Sequence, residues 1–246
     1  MSSGYALDHI ALGLRRIADG VPFLTGELGG RFLDGGPSGN FTGGQWSFAD
    51  GEKLELIEPL GEPGGFMHRF LAARGPGIHH VTFKVPDIVA AAERVRRFEY
   101  GVVGYNDDSP YWKELFLHPK QAHGIVVQLA EEHRLPEGMP AWNAGWAAPN
   151  GLPPAAPPAR VVGLRLIARS AEAARRQWGE LLAGRERAER GVLVFEWPES
   201  PLRLNVRVDQ TAVEGPEAIE LTCARRLALP PGTHPVLGAR FEQRLG

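Results

Sequence analysis

The sequence predicts an α+β protein built on a duplicated βαβββ module. An order of one strand, one helix and three strands occurs twice before residue 134. Polar residues recur at matching places in the two copies: His9 and Glu55 are 46 positions apart, and His80 and Gln128 are 48 apart. Two segments with the same order of strands and helix, and with similar spacing between their polar residues, indicate paired modules in one domain.

The strands of both copies are short apolar runs separated by Gly, Asp and Pro. In the first copy we predict a strand at 7–12, a short helix at 17–28 and strands at 31–34, 45–48 and 53–57. In the second we predict a strand at 78–85, a helix at 87–98 that Asp87 caps, and strands at 102–105, 112–117 and 125–129. A helical segment at 66–74 bridges the copies.

A stretch rich in proline and glycine follows the second copy. Proline lacks an amide donor and glycine adds chain entropy, so regular structure is disfavoured there. Its residues Trp142 and Trp146 favour burial, which indicates a segment lying against a domain. We therefore predict a paired-module domain at 5–133, a linker at 134–159 and a further module at 160–246.

The C-terminal module is a third, degenerate βαβββ copy. We predict a strand at 161–168, a helix at 171–182 and strands at 192–197, 202–208 and 218–222. Gly163 stands where the other copies have histidine, and Glu220 is what remains of the polar pattern. The charged run 185–190 alternates in sign and is expected to form a solvated turn.

The composition excludes several classes of partner. The chain has 27 basic and 29 acidic residues, a net charge of -2 and no basic stripe, which argues against nucleic acid. No apolar run approaches the roughly 20 residues that span a bilayer. The single Cys223 cannot form an intramolecular disulfide and is expected to be a buried thiol. We expect a soluble cytoplasmic protein with a small-molecule substrate, and the unpaired third module allows a homodimer.

Strand alternation predicts where the polar residues point. His9 and His80 each lie opposite the apolar residues of their strand, and Glu55 and Gln128 do the same on the last strand of their copy. Edge-to-edge pairing of the copies would bring all four to one concave surface. Two imidazoles and a carboxylate suit Zn, Fe, Co, Ni or Mn, with the amide oxygen as a weak fourth ligand.

A single histidine in a strand is more often a core or surface residue than a ligand. The metal hypothesis therefore depends on the pair His9 and His80, at matching positions of the repeat. His79 falls on the apolar face and is expected to pack in the core. The three histidines expected to be solvated are His68, His118 and His123.

Five segments together resemble the vicinal-oxygen-chelate superfamily (glyoxalase, bleomycin resistance protein and dioxygenase), and within it the methylmalonyl-CoA epimerase family. They are the segments at 7–11, 54–60, 77–88, 116–120 and 124–129. The resemblance covers residues 5–133. It implies an eight-stranded, half-open sheet around a divalent metal held by His, Gln, His and Glu.

The resemblance assigns the family's two histidines to His9 and His80. The family's Gln position is Glu55 here, and its final Glu position is Gln128. An amide cannot take a proton from a carbon acid near neutral pH, so Glu55 or another base must take that role, and Glu55 is the first candidate for the catalytic base.

The leading functional hypothesis is a metal-dependent isomerase, epimerase or lyase. It would act on a small oxygen-rich acid or its thioester, whose two neighbouring oxygens chelate the metal while an enolate forms. Two alternatives stay open at this point: an extradiol-type dioxygenase, and a non-catalytic ligand-binding or resistance protein. No cluster of Lys and Arg indicates a site for nucleotide phosphates.

Overall fold

The computed structural model describes residues 4–134, 154–189 and 191–244. The first eight strands form one sheet in the order β2-β3-β4-β1-β5-β8-β7-β6. Their bounds are β1 Ala6–Gly13, β2 Arg31–Ser38, β3 Phe41–Ser47, β4 Lys53–Pro59, β5 Gly77–Lys84, β6 Val102–Asn106, β7 Trp112–Leu117 and β8 Val126–Glu132. In each half the first strand of the module neighbours its last strand. The α+β class and the paired βαβββ modules are confirmed.

The bridging helix and the helix of the second copy agree with the sequence. Helix α1 is the bridging segment Phe66–Arg74, and α2 spans Ile88–Arg97. The Asp87 carboxylate accepts a hydrogen bond from the Ala90 amide at 2.9 Å and so caps α2. The expected helix at 17–28 is instead a 3₁₀ turn at Ile17–Asp19 and a π-helical segment at Pro22–Glu27. Pro22 has no amide to continue a regular ladder, which accounts for the break.

The remaining strands form a second sheet in the order β10-β11-β12-β9-β13-β14. Helix α3, Ala171–Ala174, continues as a π-helical segment at Arg175–Leu181. The strand bounds are β9 Arg160–Ala168, β10 Arg185–Glu189, β11 Val192–Glu196, β12 Arg203–Val208, β13 Gly215–Thr222 and β14 Phe241–Arg244. β9 pairs with β12 in parallel, as β5 does with β8, so the third module is confirmed.

Two details of the third module were wrong in the sequence interpretation. The charged run at 185–190 contains an edge strand, β10, rather than a turn. The module therefore ends at β12, and Glu220 lies on β13, outside the βαβββ unit. A strand at the edge of a sheet tolerates alternating charges because it pairs on one side only, so its apolar signature is weak.

Gly163 on β9 lies directly against the backbone of β12. It has φ +155° and opposes Arg203 in the parallel register. A Cβ at this position would lie 1.9 Å from the Arg203 carbonyl oxygen. Glycine is therefore required by space as well as by backbone conformation.

The chain clusters into two compact units, each made of three stretches. The first comprises Met1–His9, His80–Pro136 and Gly163–Glu217. In its core the Phe83 ring lies 4.8 Å from the Trp197 ring and 6.4 Å from the Trp178 ring, measured between centroids. Helix α2 packs on β6, β7 and β8 and buries one face of that half of the sheet.

The second unit comprises Ile10–His79, Glu137–Val162 and Ala218–Gly246. Its core contains Trp46, whose indole Nε1 donates a hydrogen bond to Thr25 Oγ1 at 3.0 Å. Phe23, in the π-helical segment, packs against Phe241 of β14 in a tilted arrangement, with ring centroids 4.9 Å apart. These contacts anchor the irregular helical segment of the first module within its unit.

The predicted linker falls mostly outside the described residues, as do Trp142 and Trp146. The boundaries 5–133, 134–159 and 160–246 therefore stay a prediction. Cys223 is a buried free thiol, as expected. Across the described ranges, no helix is long and apolar enough to cross a bilayer.

Candidate metal site

Two buried histidines face each other on neighbouring first strands of the modules. His9 on β1 and His80 on β5 are 2% and 7% exposed, and their ring centroids are 5.8 Å apart at an interplanar angle of 71°. Two imidazoles bound to one ion through bonds near 2.1 Å have centroids at most about 6.4 Å apart. The separation is therefore compatible with a shared ion.

Glu55 on β4 completes the group. One ligand atom from each of His9, Glu55 and His80 lies within 4.8 Å of the others, and all three side chains are buried. Two ligands of one ion are at most about 4.2 Å apart, so small side-chain rotations would suffice for binding. Two imidazoles and one carboxylate form a donor set suited to a borderline divalent ion.

The His9 ring is oriented by a carboxylate on the preceding residue. His9 Nδ1 lies 2.7 Å from Asp8 Oδ2, and Asp8 is largely buried. This contact places a proton on Nδ1 and directs Nε2 toward the candidate site. Histidines that bind metals in proteins usually have such a carboxylate or carbonyl partner on the other ring nitrogen.

Gln128, the fourth predicted ligand, is connected to His9 through Thr82. The Thr82 hydroxyl lies 2.9 Å from His9 Nε2 and donates a hydrogen bond to Gln128 Oε1 at 2.6 Å. Thr82 and Gln128 oppose each other in the parallel pairing of β5 and β8. The structure therefore links Gln128 to a candidate ligand through the Thr82 hydroxyl, by one hydrogen bond to Gln128 and one 2.9 Å contact with His9 Nε2.

A carboxylate that the sequence patterns did not indicate, that of Glu114, lies beside Gln128. Glu114 Oε2 accepts hydrogen bonds from Gln128 Nε2 at 2.7 Å and from Trp112 Nε1 at 2.9 Å. Both partners follow from alternation: in β7, Leu115 and Leu117 are buried on one face, so Trp112 and Glu114 share the other. Strand alternation thus places Glu114 on the face of Trp112, but it does not by itself reveal the hydrogen bond to Gln128.

The other histidines lie away from this group. His79 packs in the core as predicted, 4.8 Å from Phe70 and 5.5 Å from Phe66 between ring centroids. Burial, aided by the positive charge of Arg74, lowers the pKa of His79 to about 4, so it is neutral at pH 7.

The prediction that His123 is solvated was wrong. Its side chain is 6% exposed, and its Nδ1 lies 2.9 Å from Glu214 Oε1. The turn that carries His123 packs on the loop before β13, a long-range contact that local sequence does not reveal.

Comparisons with known proteins place these residues in a family. A model of the Glyoxalase/Bleomycin resistance protein/Dioxygenase superfamily matches residues 8–113, which include His9, Glu55 and His80. The uncharacterized protein YqjC of Bacillus subtilis strain 168 is 30% identical over 131 residues, which are 51% of this chain and 91% of that protein. The chain belongs to the Glyoxalase/Bleomycin resistance protein/Dioxygenase superfamily. Members of this superfamily typically bind a divalent metal.

Within the superfamily, the chain is similar to epimerases. The ethylmalonyl-CoA/methylmalonyl-CoA epimerase of Cereibacter sphaeroides is 38% identical over 85 residues, which are 32% of this chain and 61% of that enzyme. The chain thus spans less than two thirds of this relative.

Among solved structures, hypothetical protein BH1468 from Bacillus halodurans is 26% identical with a TM-score of 0.49, covering 54% of this chain and 98% of that one. Methylmalonyl-CoA epimerase from Mycobacterium tuberculosis is 22% identical with a TM-score of 0.47, covering 52% and 88%.

Proposed function

We propose that the protein is a divalent-metal-dependent epimerase or isomerase that acts on a small oxygen-rich acid or its thioester. The observation that carries the proposal is the group of His9, Glu55 and His80. The similarity to the ethylmalonyl-CoA/methylmalonyl-CoA epimerase of Cereibacter sphaeroides supports epimerisation and a thioester substrate. The metal would be Zn, Fe, Co, Ni or Mn, all of which accept imidazole and carboxylate ligands.

Different residues would bind the metal ion and transfer the proton. His9 and His80 would hold the ion, with Asp8 fixing the ring of His9, and Gln128 would contribute its amide oxygen. A bound divalent ion supplies Lewis acidity, which favours loss of a proton from the carbon beside a carbonyl group. Glu55 would accept that proton, because the Gln128 amide cannot act as a base near neutral pH.

Metal dependence is tested with a matched pair of variants, because His79 and His80 are adjacent in the sequence but only His80 belongs to the candidate metal site. The wild-type chain, His80→Phe and His79→Phe are loaded with metal, and their metal content is measured by elemental analysis. Exchange of the C2 proton of methylmalonyl-CoA in D₂O is followed by NMR. We expect metal and exchange in the wild type and in His79→Phe, and neither in His80→Phe. Exchange by metal-free wild type would contradict the proposal.

The role of Glu55 has a separate test. Glu55→Gln keeps the size of the side chain but removes the proton acceptor. We expect it to retain metal, with weaker affinity, and to lose proton exchange. A Glu55→Gln protein with bound metal and full turnover would show that Glu55 is not the base.

A second function is favoured by the same ligand set. Two histidines and one carboxylate also form the facial triad of non-haem Fe(II) oxygenases. Oxygen uptake with a catechol, dependent on Fe(II), would select this function over epimerisation. A non-catalytic ligand-binding protein would show neither activity. The homodimer stays a prediction.

A further inference from the structure

The orientation of the Gln128 side chain is set by its partners. An ionised carboxylate has acceptors but no donors, so the group that faces Glu114 must be the NH₂ of Gln128. The amide oxygen is thereby directed the opposite way, to the Thr82 hydroxyl, which donates to it. Rotating the amide by 180° would bring its oxygen against the carboxylate and its NH₂ against Thr82.

Glu114 is itself held in place. Its Oε2 also accepts from Trp112 Nε1, and the Trp112 ring lies under the Lys84 ammonium, which is 3.9 Å from the ring centroid. Lys84 is in turn paired with Glu132 at 2.7 Å. Because these contacts fix the indole, they limit the movement of the Glu114 carboxylate.

Glu114 does not belong to the ligand group. Among the described residues, the group whose ligand atoms lie together comprises His9, Glu55 and His80. Glu114 Oε2 already accepts two hydrogen bonds, from an amide and an indole. Its hydrogen-bonded connection toward the ligand group is through Gln128.

We propose that Glu114 is a positioning residue that presents the amide oxygen of Gln128 to the metal ion. The inference rests on the proposed metal-dependent function and deepens it. Loss of a hydrogen-bond partner that orients a ligand typically lowers metal affinity about 10- to 100-fold. Glu114→Leu removes both the charge and the acceptor, whereas Glu114→Gln can still accept a hydrogen bond from Gln128 through its amide oxygen.

The test uses Co²⁺ as the probe. Affinity is measured by calorimetry, and the visible spectrum of bound Co²⁺ reports the number of ligands. We expect Glu114→Leu to lower the affinity about 10-fold or more, and its spectrum to match that of Gln128→Leu. Glu114→Gln should keep a spectrum close to that of the wild type.

A double variant shows whether Glu114 acts through Gln128. In a Gln128→Leu background, Glu114→Leu should cause no further loss of Co²⁺ affinity, because the group that it positions is gone. Glu196→Leu, the same change on β11 of the second sheet, is the control and should bind as the wild type does. Circular dichroism checks that each variant is folded.

The outcomes separate the two proposals. Wild-type protein that binds no Co²⁺ would overturn the metal-dependent function and this inference together. Wild-type protein that binds Co²⁺ while Glu114→Leu binds it with the same affinity and spectrum would overturn only the role of Glu114. Equal losses in the wild-type and Gln128→Leu backgrounds would also overturn it. If Glu114→Leu does not fold, Glu114→Ala takes its place, and a Co²⁺ affinity and spectrum equal to those of the wild type overturn the inference.

Discussion

Replacing Glu131 by glutamine is expected to lower the free energy of unfolding at neutral pH. Glu131 lies on β8, is 6% exposed and has three partners. Its Oε2 accepts from the Ile88 amide at the start of α2 at 2.7 Å, and its Oε1 lies 2.9 Å from Lys113 Nζ and 2.5 Å from His133 Nε2. The residue therefore connects the strand that carries Gln128 to the helix that covers it.

The magnitude follows from the pKa of Glu131. Burial raises this pKa, but the hydrogen bonds from Ile88, His133 and Lys113 outweigh burial and hold it at about 2, against the ordinary value of 4.5. At 1.36 kcal/mol per pKa unit, the upper limit of the stabilisation is about 3 kcal/mol. Lys113 and His133 are partly in solvent, which screens the charges, so we expect about 2 kcal/mol.

The pH dependence has a definite sign. The folded pKa lies below the unfolded one, so the stabilisation is fully present above pH 4.5 and is lost as the pH falls through about 2. The free energy of unfolding of both proteins is measured by urea denaturation, followed by tryptophan fluorescence, at about pH 7, 4 and 2.5. The difference between wild type and Glu131→Gln should shrink toward the lowest pH.

The neighbouring Glu132 is the matched control. It is 58% exposed and is paired with Lys84, so Glu132→Gln should cost at most about 1 kcal/mol. Equal stability of wild type and Glu131→Gln at pH 7 would refute the reasoning. A difference that does not depend on pH would refute the electrostatic part of it.

Three further predictions follow from single hydrogen bonds. Asp8→Ala frees the His9 ring and should weaken metal binding about 10- to 100-fold in calorimetry, and an unchanged Kd would show that Asp8 does not orient the ligand. Thr25→Val leaves the buried Trp46 indole without its acceptor and should cost about 1–3 kcal/mol in chemical denaturation, whereas Thr25→Ser should not. Asp87→Ala removes the cap of α2 and should cost about 1 kcal/mol, and Asp87→Asn, which can still cap, should cost less.

Strand alternation and spacing predicted the paired modules and brought His9, Glu55 and His80 together. Alternation located them because each is a polar residue opposite the apolar residues of its strand. Alternation gave no signal at β10, an edge strand in which charges of opposite sign alternate and no apolar face stands out. Because β10 was not predicted, Glu220 was assigned to the last strand of the third module, whereas it lies on β13, outside that module. Glu114 was missed because its importance comes from a hydrogen bond to a residue 14 positions away, which alternation places on the right face but cannot single out.

The close approach of β9 and β12 at Gly163 restricts which side chains the third module can carry at this position. A histidine there would need a Cβ where the Arg203 carbonyl oxygen already lies. No single substitution can therefore return an imidazole to this position without pushing two strands apart. The tight pairing of β9 with β12 therefore keeps an imidazole, and with it the ligand pattern of the paired modules, out of this position of the second sheet.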